Sequence, residues 1–120
     1  VLERQFQIAL KRKDREMLDT VVQNGPATGW APEALFQSGM IAEKSKDYDL
    51  AILDFQAVQN RYPGSPRVGE AAYREALNFY HLCTRLSPQD ETRFLSARTT
   101  IARFLRNHPA SPFAPRDANS

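Results

Sequence analysis

Tyr48-Asp-Leu-Ala-Ile-Leu-Asp-Phe-Gln-Ala-Val-Gln-Asn-Arg-Tyr-Pro-Gly-Ser-Pro66 decides the fold. Ala51, Phe55, Val58 and Tyr62 recur at i, i+4, i+7 and i+11, the offsets that share one face of an α-helix. Pro63 cannot continue that helix, and Gly64-Ser65-Pro66 supplies turn chemistry. The same design returns with Ala97, Ile101, Phe104 and His108, followed by Pro109-Ala-Ser-Pro112. Two copies of small-x3-large-x2-apolar-x3-aromatic-Pro-x-Ser-Pro in 120 residues mark a helical repeat protein.

Working outward, residues 1–24 read as a short helical hairpin. Phe6, Ala9 and Leu10 give its first apolar stripe, and Leu18, Val21 and Val22 its second. Residues 11–15 form the polar bend between them. Asn24-Gly25-Pro26 stops the second stripe. Aligning Pro26 with Pro63 also aligns Thr28 with Ser65, Glu33 with Glu70 and Ala34 with Ala71, so repeats end at Pro26, Pro63 and Pro109, the first one degenerate. Residues 27–31 are a connector. Its Trp30 is expected to cap an end of the core, the alternative being an exposed recognition aromatic.

Pro32 suits the first turn of a helix that runs to about Lys44. Leu35, Gly39 and Ala42 share one face of it. A glycine there costs ~1 kcal/mol against alanine, which close approach of the partner helix would explain. Asp47 is placed to cap the helix that follows. A longer helix over 67–84 carries Val68, Ala72, Ala76, Phe79 and Cys83 on one side, with Tyr73, Leu77 and Tyr80 beside them. A loop over 84–89 precedes a last helix over 91–107, capped by Asp90 or Thr92. The loop and the longer first helix account for the wider spacing of the final repeat. The tail from Ala110 either starts another helix near Ala114 or frays. No segment alternates like a strand. The expected fold is all-α: about three stacked helical hairpins in a right-handed solenoid, forming a single domain over 1–116 with repeats at about 1–26, 32–63 and 67–109, and a tail over 117–120.

A net charge of +2 gives no reason to expect nucleic acid. The cluster Lys11-Arg12-Lys13 with Arg15 is interrupted by Asp14 and Glu16 and reads as a solvated helix end. One cysteine, Cys83, excludes an internal disulfide and a cysteine-rich zinc site. No apolar run is long enough to span a bilayer. The chain opens on Val1 within a helical pattern, which suggests a processed or truncated chain, so a missing signal segment is no argument for the cytoplasm.

There is no glycine-rich phosphate loop, no GxSxG and no HExxH. His81 and His108 lie on different helices and read as structural. The expectation is a protein without catalytic activity, cofactor, metal or small-molecule substrate. What remains is surface. In a helical-hairpin solenoid the first helix of each pair lines the concave side. Glu33, Phe36, Met40 and Glu43 fall there on one helix, and Glu70, Tyr73, Leu77 and Tyr80 on the next. Such a groove suits an extended peptide or a helix. The alternative is that Phe36, Tyr73 and Leu77 simply pack between hairpins.

With Pro32 as first position, Leu35, Gly39, Ala51, Phe55, Val58 and Pro63 resemble the tetratricopeptide repeat, with Ala42 where an aromatic is usual. A narrower resemblance is carried by Tyr48-x-x-Ala-Ile-x-x-Phe-x-x-Val-x-x-x-Tyr-Pro63 with Ser65. Gln89-Asp-Glu-Thr92, Ala97, Ile101, Phe104, Leu105, His108-Pro109 and Ser111-Pro-Phe-Ala114 extend it. Over about 32–116 the chain resembles the BamD-type outer-membrane assembly lipoproteins, although His108 stands where that family has tyrosine. The resemblance implies a periplasmic scaffold on the inner face of a bacterial outer membrane. Its partners would be a β-barrel insertase and unfolded barrel substrates, and it would reach the membrane only through a lipid anchor that this chain does not carry. The Tyr-Pro-x-Ser ending is shared with Tol–Pal-associated periplasmic repeat proteins, coordinators of envelope constriction, which are the alternative. A cytoplasmic adaptor is a further one.

Overall fold

A computed structural model describes residues 2–85 and 91–107, in six α-helices and no strand among the described residues. They are α1 (Leu2–Arg12), α2 (Arg15–Asn24), α3 (Trp30–Lys44), α4 (Tyr48–Arg61), α5 (Val68–Arg85) and α6 (Glu91–Asn107). Each packs on the next, as tetratricopeptide-like stacked hairpins do. The expected stripe of α4 is its buried face: Ala51, Phe55 and Val58 are fully enclosed, and Tyr62 packs against them. They share one core with Phe6, Leu18, Val21, Leu35 and Phe36. Phe104 belongs to a second cluster, with Ala72 and Ala76 buried and Tyr73 and Ile101 packed against it. The cap assigned to Asp90, the loop over 86–89, His108, the third repeat end at Pro109 and the tail lie outside the described residues, as do the side chains of Cys83, Thr92 and Ala97.

Two kinds of turn alternate. The amides of Thr28 and Ser65 bond back to the carbonyls of Gly25 and Tyr62, and those of Ala31 and Val68 to Thr28 and Ser65. The Pro26–Pro63 alignment therefore pairs two turns of one geometry, and the Tyr62 hydroxyl ties them by donating to the Pro26 carbonyl at 2.8 Å. The turns inside the hairpins also match. Lys13 and Asp14 donate to Leu10 and Ala9, as Lys46 and Asp47 donate to Glu43 and Ala42. This is the Schellman ending of a helix, which puts its C′ residue in the left-handed region. Both C′ residues are lysines, at φ 52° and 64°. A glycine would sit there without strain. Lys13→Gly and Lys46→Gly should each raise unfolding stability by about 0.5–1 kcal/mol, read from urea denaturation of the single variants.

Three expectations need correction. α3 begins at Trp30, so the connector expected over 27–31 ends at residue 29, while Pro32, third in the helix, keeps its expected place in the first turn, whose amides have no intrahelical partner. Asp47 occupies the cap position of α4, but its side chain makes no capping bond. Its ψ of 69° falls short of the extended backbone that aims a cap at the first turn. Asp14 (ψ 104°), at the equivalent position before α2, does cap its own helix, accepting from the amides of Glu16 and Met17. Arg15 is not a solvated end. It reaches inward to donate to Ser38 at 3.1 Å and to Asp54 at 2.8 Å, linking α2 to α3 and α4.

Gly39 is where the expectation of close approach is met. A Cβ on it would lie 2.8–3.1 Å from three carbons of the Phe55 ring. The first hairpin's degeneracy also has a plain form: α2 has 10 residues where α4 has 14, one helical turn fewer.

Candidate protein-binding face

The face made by α3 and α5 is closed along its floor by charge. Arg67, in the turn leading into α5, donates through Nε and Nη2 to both carboxylate oxygens of Glu33 at 2.8 and 2.7 Å. Its Nη1 donates to Glu70 at 2.9 Å, and its guanidinium lies 4.4 Å from the Phe36 ring centroid. Further along, Glu43 accepts from Arg74 at 2.9 Å and from Asn78 at 2.7 Å. Two rungs thus join α3 to α5 and the turn that leads into it. Residues brought together from more than thirty positions apart make a bidentate fork and a carboxylate shared by two donors.

Burial raises the Glu33 carboxyl pKa, but hydrogen bonds from Arg67 and Gln37 and the Arg67 charge together outweigh it, so the group titrates below the ordinary carboxylate range. The Glu33 hydrogen bond pushes the Arg67 guanidinium further up. Because the folded value for Glu33 is depressed, its stabilising contribution is fully present above the unfolded value and is lost as pH falls through the folded one. Arg67→Met should cost about 1 kcal/mol at pH 7, a small figure because a third of the Arg67 side chain is in solvent. The difference from the parent should shrink as pH falls below the ordinary carboxylate range and through the lower folded value of Glu33. Urea titrations at each pH measure it; a difference independent of pH would assign the loss to packing on Phe36.

The eight expected groove residues are thus placed unequally. Glu33, Glu43 and Glu70 are engaged by arginines of their own chain. Phe36 is corrected: it is buried, with its ring 5.5 Å from Phe55 and edge-on to it, and it offers no open surface. The same packing that fills the space under Gly39 encloses it. Tyr73 turns toward α6, 5.9 Å from Phe104. Met40 and Leu77 are half-buried. Tyr80 is exposed, beside His81, which stacks on Tyr48 at 5.2 Å. Sequence reasoning missed Arg67 and Arg74, although Arg67 stands three residues before Glu70. It also missed an open cleft of about 510 Å³ lined by Phe6, Gly29, Trp30, Glu33 and Arg67. Trp30 is half-buried there, 5.1 Å from Phe6. It belongs to an end of the core, as expected, and also lines the cleft.

Among curated proteins none matches the chain. A family model, described as an outer membrane lipoprotein and called YfiO, matches residues 29–115. That span holds the second and third hairpins, both rungs of the α3–α5 face, and the Tyr62-Pro63-Gly-Ser65 turn. With well over half of its length matched, the chain belongs to the YfiO family of outer membrane lipoproteins.

Proposed function

We infer that the chain is a non-catalytic scaffold that binds partner proteins along the α3–α5 face during outer-membrane β-barrel assembly, on the periplasmic side of that membrane. The observation that carries this is the family match over the two hairpins that build the face. The geometry supports it. Ion pairs hold α3 and α5 in fixed register, so the face is rigid before a partner arrives, which lowers the ordering cost of binding. Met40, Leu77 and Tyr80 remain to give apolar contact, and the Trp30 cleft adjoins the Glu33 rung. An extended segment of an unfolded barrel, or a periplasmic domain of the insertase, is the occupant that resemblance to the BamD-type lipoproteins implies.

Pull-down from a bacterial envelope extract, with recovered proteins identified by mass spectrometry, tests the assignment. Barrel-assembly components should be enriched, and less so with Met40→Asp/Leu77→Asp. Recovery of Tol–Pal components in their place would assign the chain to envelope constriction.

A further inference from the structure

Two joints hold the hairpins α1–α2, α3–α4 and α5–α6 together, and they differ in what they bury. Where the first hairpin meets the second, Phe6, Leu18 and Val21 share one apolar core with Leu35, and both α1 and α2 lie against α3. Arg15 adds polar links to Ser38 and Asp54. Where the second meets the third, the buried apolar side chains that α5 supplies among the described residues are all alanines, Ala71, Ala72 and Ala76. Ala71, with Val68 half-buried near it, joins the core of the first two hairpins, while Ala72 and Ala76 belong to the cluster of Phe104. The two apolar clusters therefore part within α5. Ile52 of α4 is buried and belongs to neither.

What crosses this second joint is mostly polar. Glu33 meets Arg67, Glu43 meets Arg74 and Asn78, and Glu75 meets Gln56 and Gln59. The Tyr48–His81 stack adds an aromatic contact. Burial of such polar and charged groups costs in desolvation much of what their pairing gains. Phe6, Leu18, Val21 and Leu35, by contrast, gain from every apolar atom taken out of water. Of three buried side-chain atoms without a hydrogen-bond partner among the described residues, Arg74 Nε and Asn78 Oδ1 are at this joint, the third being Gln5 Oε1 on α1. Each raises the free energy of the docked state. The stability of a stack is a sum of unit and neighbour terms, so it opens first where a neighbour term is smallest.

We propose that the α5–α6 hairpin undocks from α4 as one unit while α1–α4 stay folded, and that this undocking opens and closes the α3–α5 face. The face exists only while α5 is docked, because α5 and the turn before it carry Arg67, Arg74 and Leu77. A partner that touches both α3 and α5 holds the third hairpin down, and its apparent affinity falls with the fraction of chains that are open. That consequence rests on the scaffold reading. The undocking does not, so the experiment below can fail with the scaffold reading intact, and the reverse.

Native-state hydrogen exchange of the full chain, followed residue by residue by NMR across sub-denaturing urea, measures the opening. Amides in the middle of α5 and α6 should share one urea-dependent opening, populated about thirtyfold or more above that of α2–α4. Val21→Ala, in the apolar joint, should lower protection of α2–α4 about tenfold and leave α5–α6 within about twofold. Glu43→Leu/Arg74→Leu/Asn78→Leu removes both unpartnered atoms and puts apolar contact in their place, so the α5–α6 opening should become about tenfold rarer. Equal protection from α2 to α6 would overturn the proposal, as would exchange in α5 that ignores urea, the mark of fraying. So would a loss from Val21→Ala as large in α5–α6 as in α2–α4, or a triple variant that opens as often as the parent.

Discussion

Phe55→Ala is expected to lower the unfolding free energy by about 3–5 kcal/mol, the cost of an aromatic-sized cavity in a close-packed interior. The ring is fully enclosed, with Gly39 on one side and the edge of Phe36 5.5 Å away. It is the side chain through which α4 locks onto α3. The companion change sharpens the test. Gly39→Ala should destabilise by about 1–3 kcal/mol, because its methyl would press on a ring that Phe36 keeps from moving. That outweighs the roughly 1 kcal/mol by which alanine favours a helix over glycine. In the Phe55→Ala background the methyl has space, so Gly39→Ala should there become neutral or stabilising, a coupling of at least about 1 kcal/mol. Urea denaturation followed by circular dichroism gives all four corners of the cycle. A loss under about 1 kcal/mol for Phe55→Ala would mean that the α3–α4 packing is misassigned.

The second large effect is expected at Glu75, a carboxylate 2% exposed in the middle of α5. It accepts from Gln56 at 2.9 Å and from Gln59 at 2.8 Å, both on α4, and from Arg103 on α6 at 3.2 Å. One side chain therefore joins three helices and both hydrophobic clusters. Glu75→Ala should cost about 2–4 kcal/mol, most of it from removing the acceptor of the Gln56 amide and one of the two acceptors of the Gln59 amide, which keeps the Phe55 carbonyl, in the α4–α5 interface. Arg103 is half in solvent and contributes little of this. Glu75→Met, which keeps the volume, should cost nearly as much, and adding Gln56→Leu/Gln59→Leu should restore most of the loss, since an apolar contact of similar shape has no donors to satisfy. Full stability of Glu75→Met alone would show that the network contributes nothing.

Periodicity made the hairpins legible. Ala51, Phe55, Val58 and Tyr62 are in the core because four residues on one helical face must bury together, whatever they pack against. Gly39 was legible because its helix cost demands a compensating contact. The turns were legible because proline and glycine punctuate locally. Partners were not. Glu75 and Asn78 sit in an arc of α5 that reads as apolar apart from them, and they are buried only because Gln56, Gln59 and Glu43 come across from other helices. Glu33 and Arg67 are 34 positions apart, so their fork is a property of the stack that no local pattern encodes. Phe36 shows the same limit from the other side: its spacing puts it on the groove face, while the absence of a side chain at Gly39 draws the Phe55 ring close and Phe36 inward with it. Asp47 failed as a cap because sequence supplies the carboxylate but not the ψ that aims it.

Placing a photo-crosslinking amino acid at Met40 or at Leu77 tests the central claim most directly, because it reports which protein lies on the α3–α5 face and at which residue. Irradiation in intact bacterial envelopes, with the adducts identified by mass spectrometry, should join both positions to a β-barrel insertase domain or to unfolded barrel segments. The same group at Gln23, exposed on α2, should give no such adduct. Adducts to those proteins from Gln23 with none from Met40 or Leu77 would contradict the account.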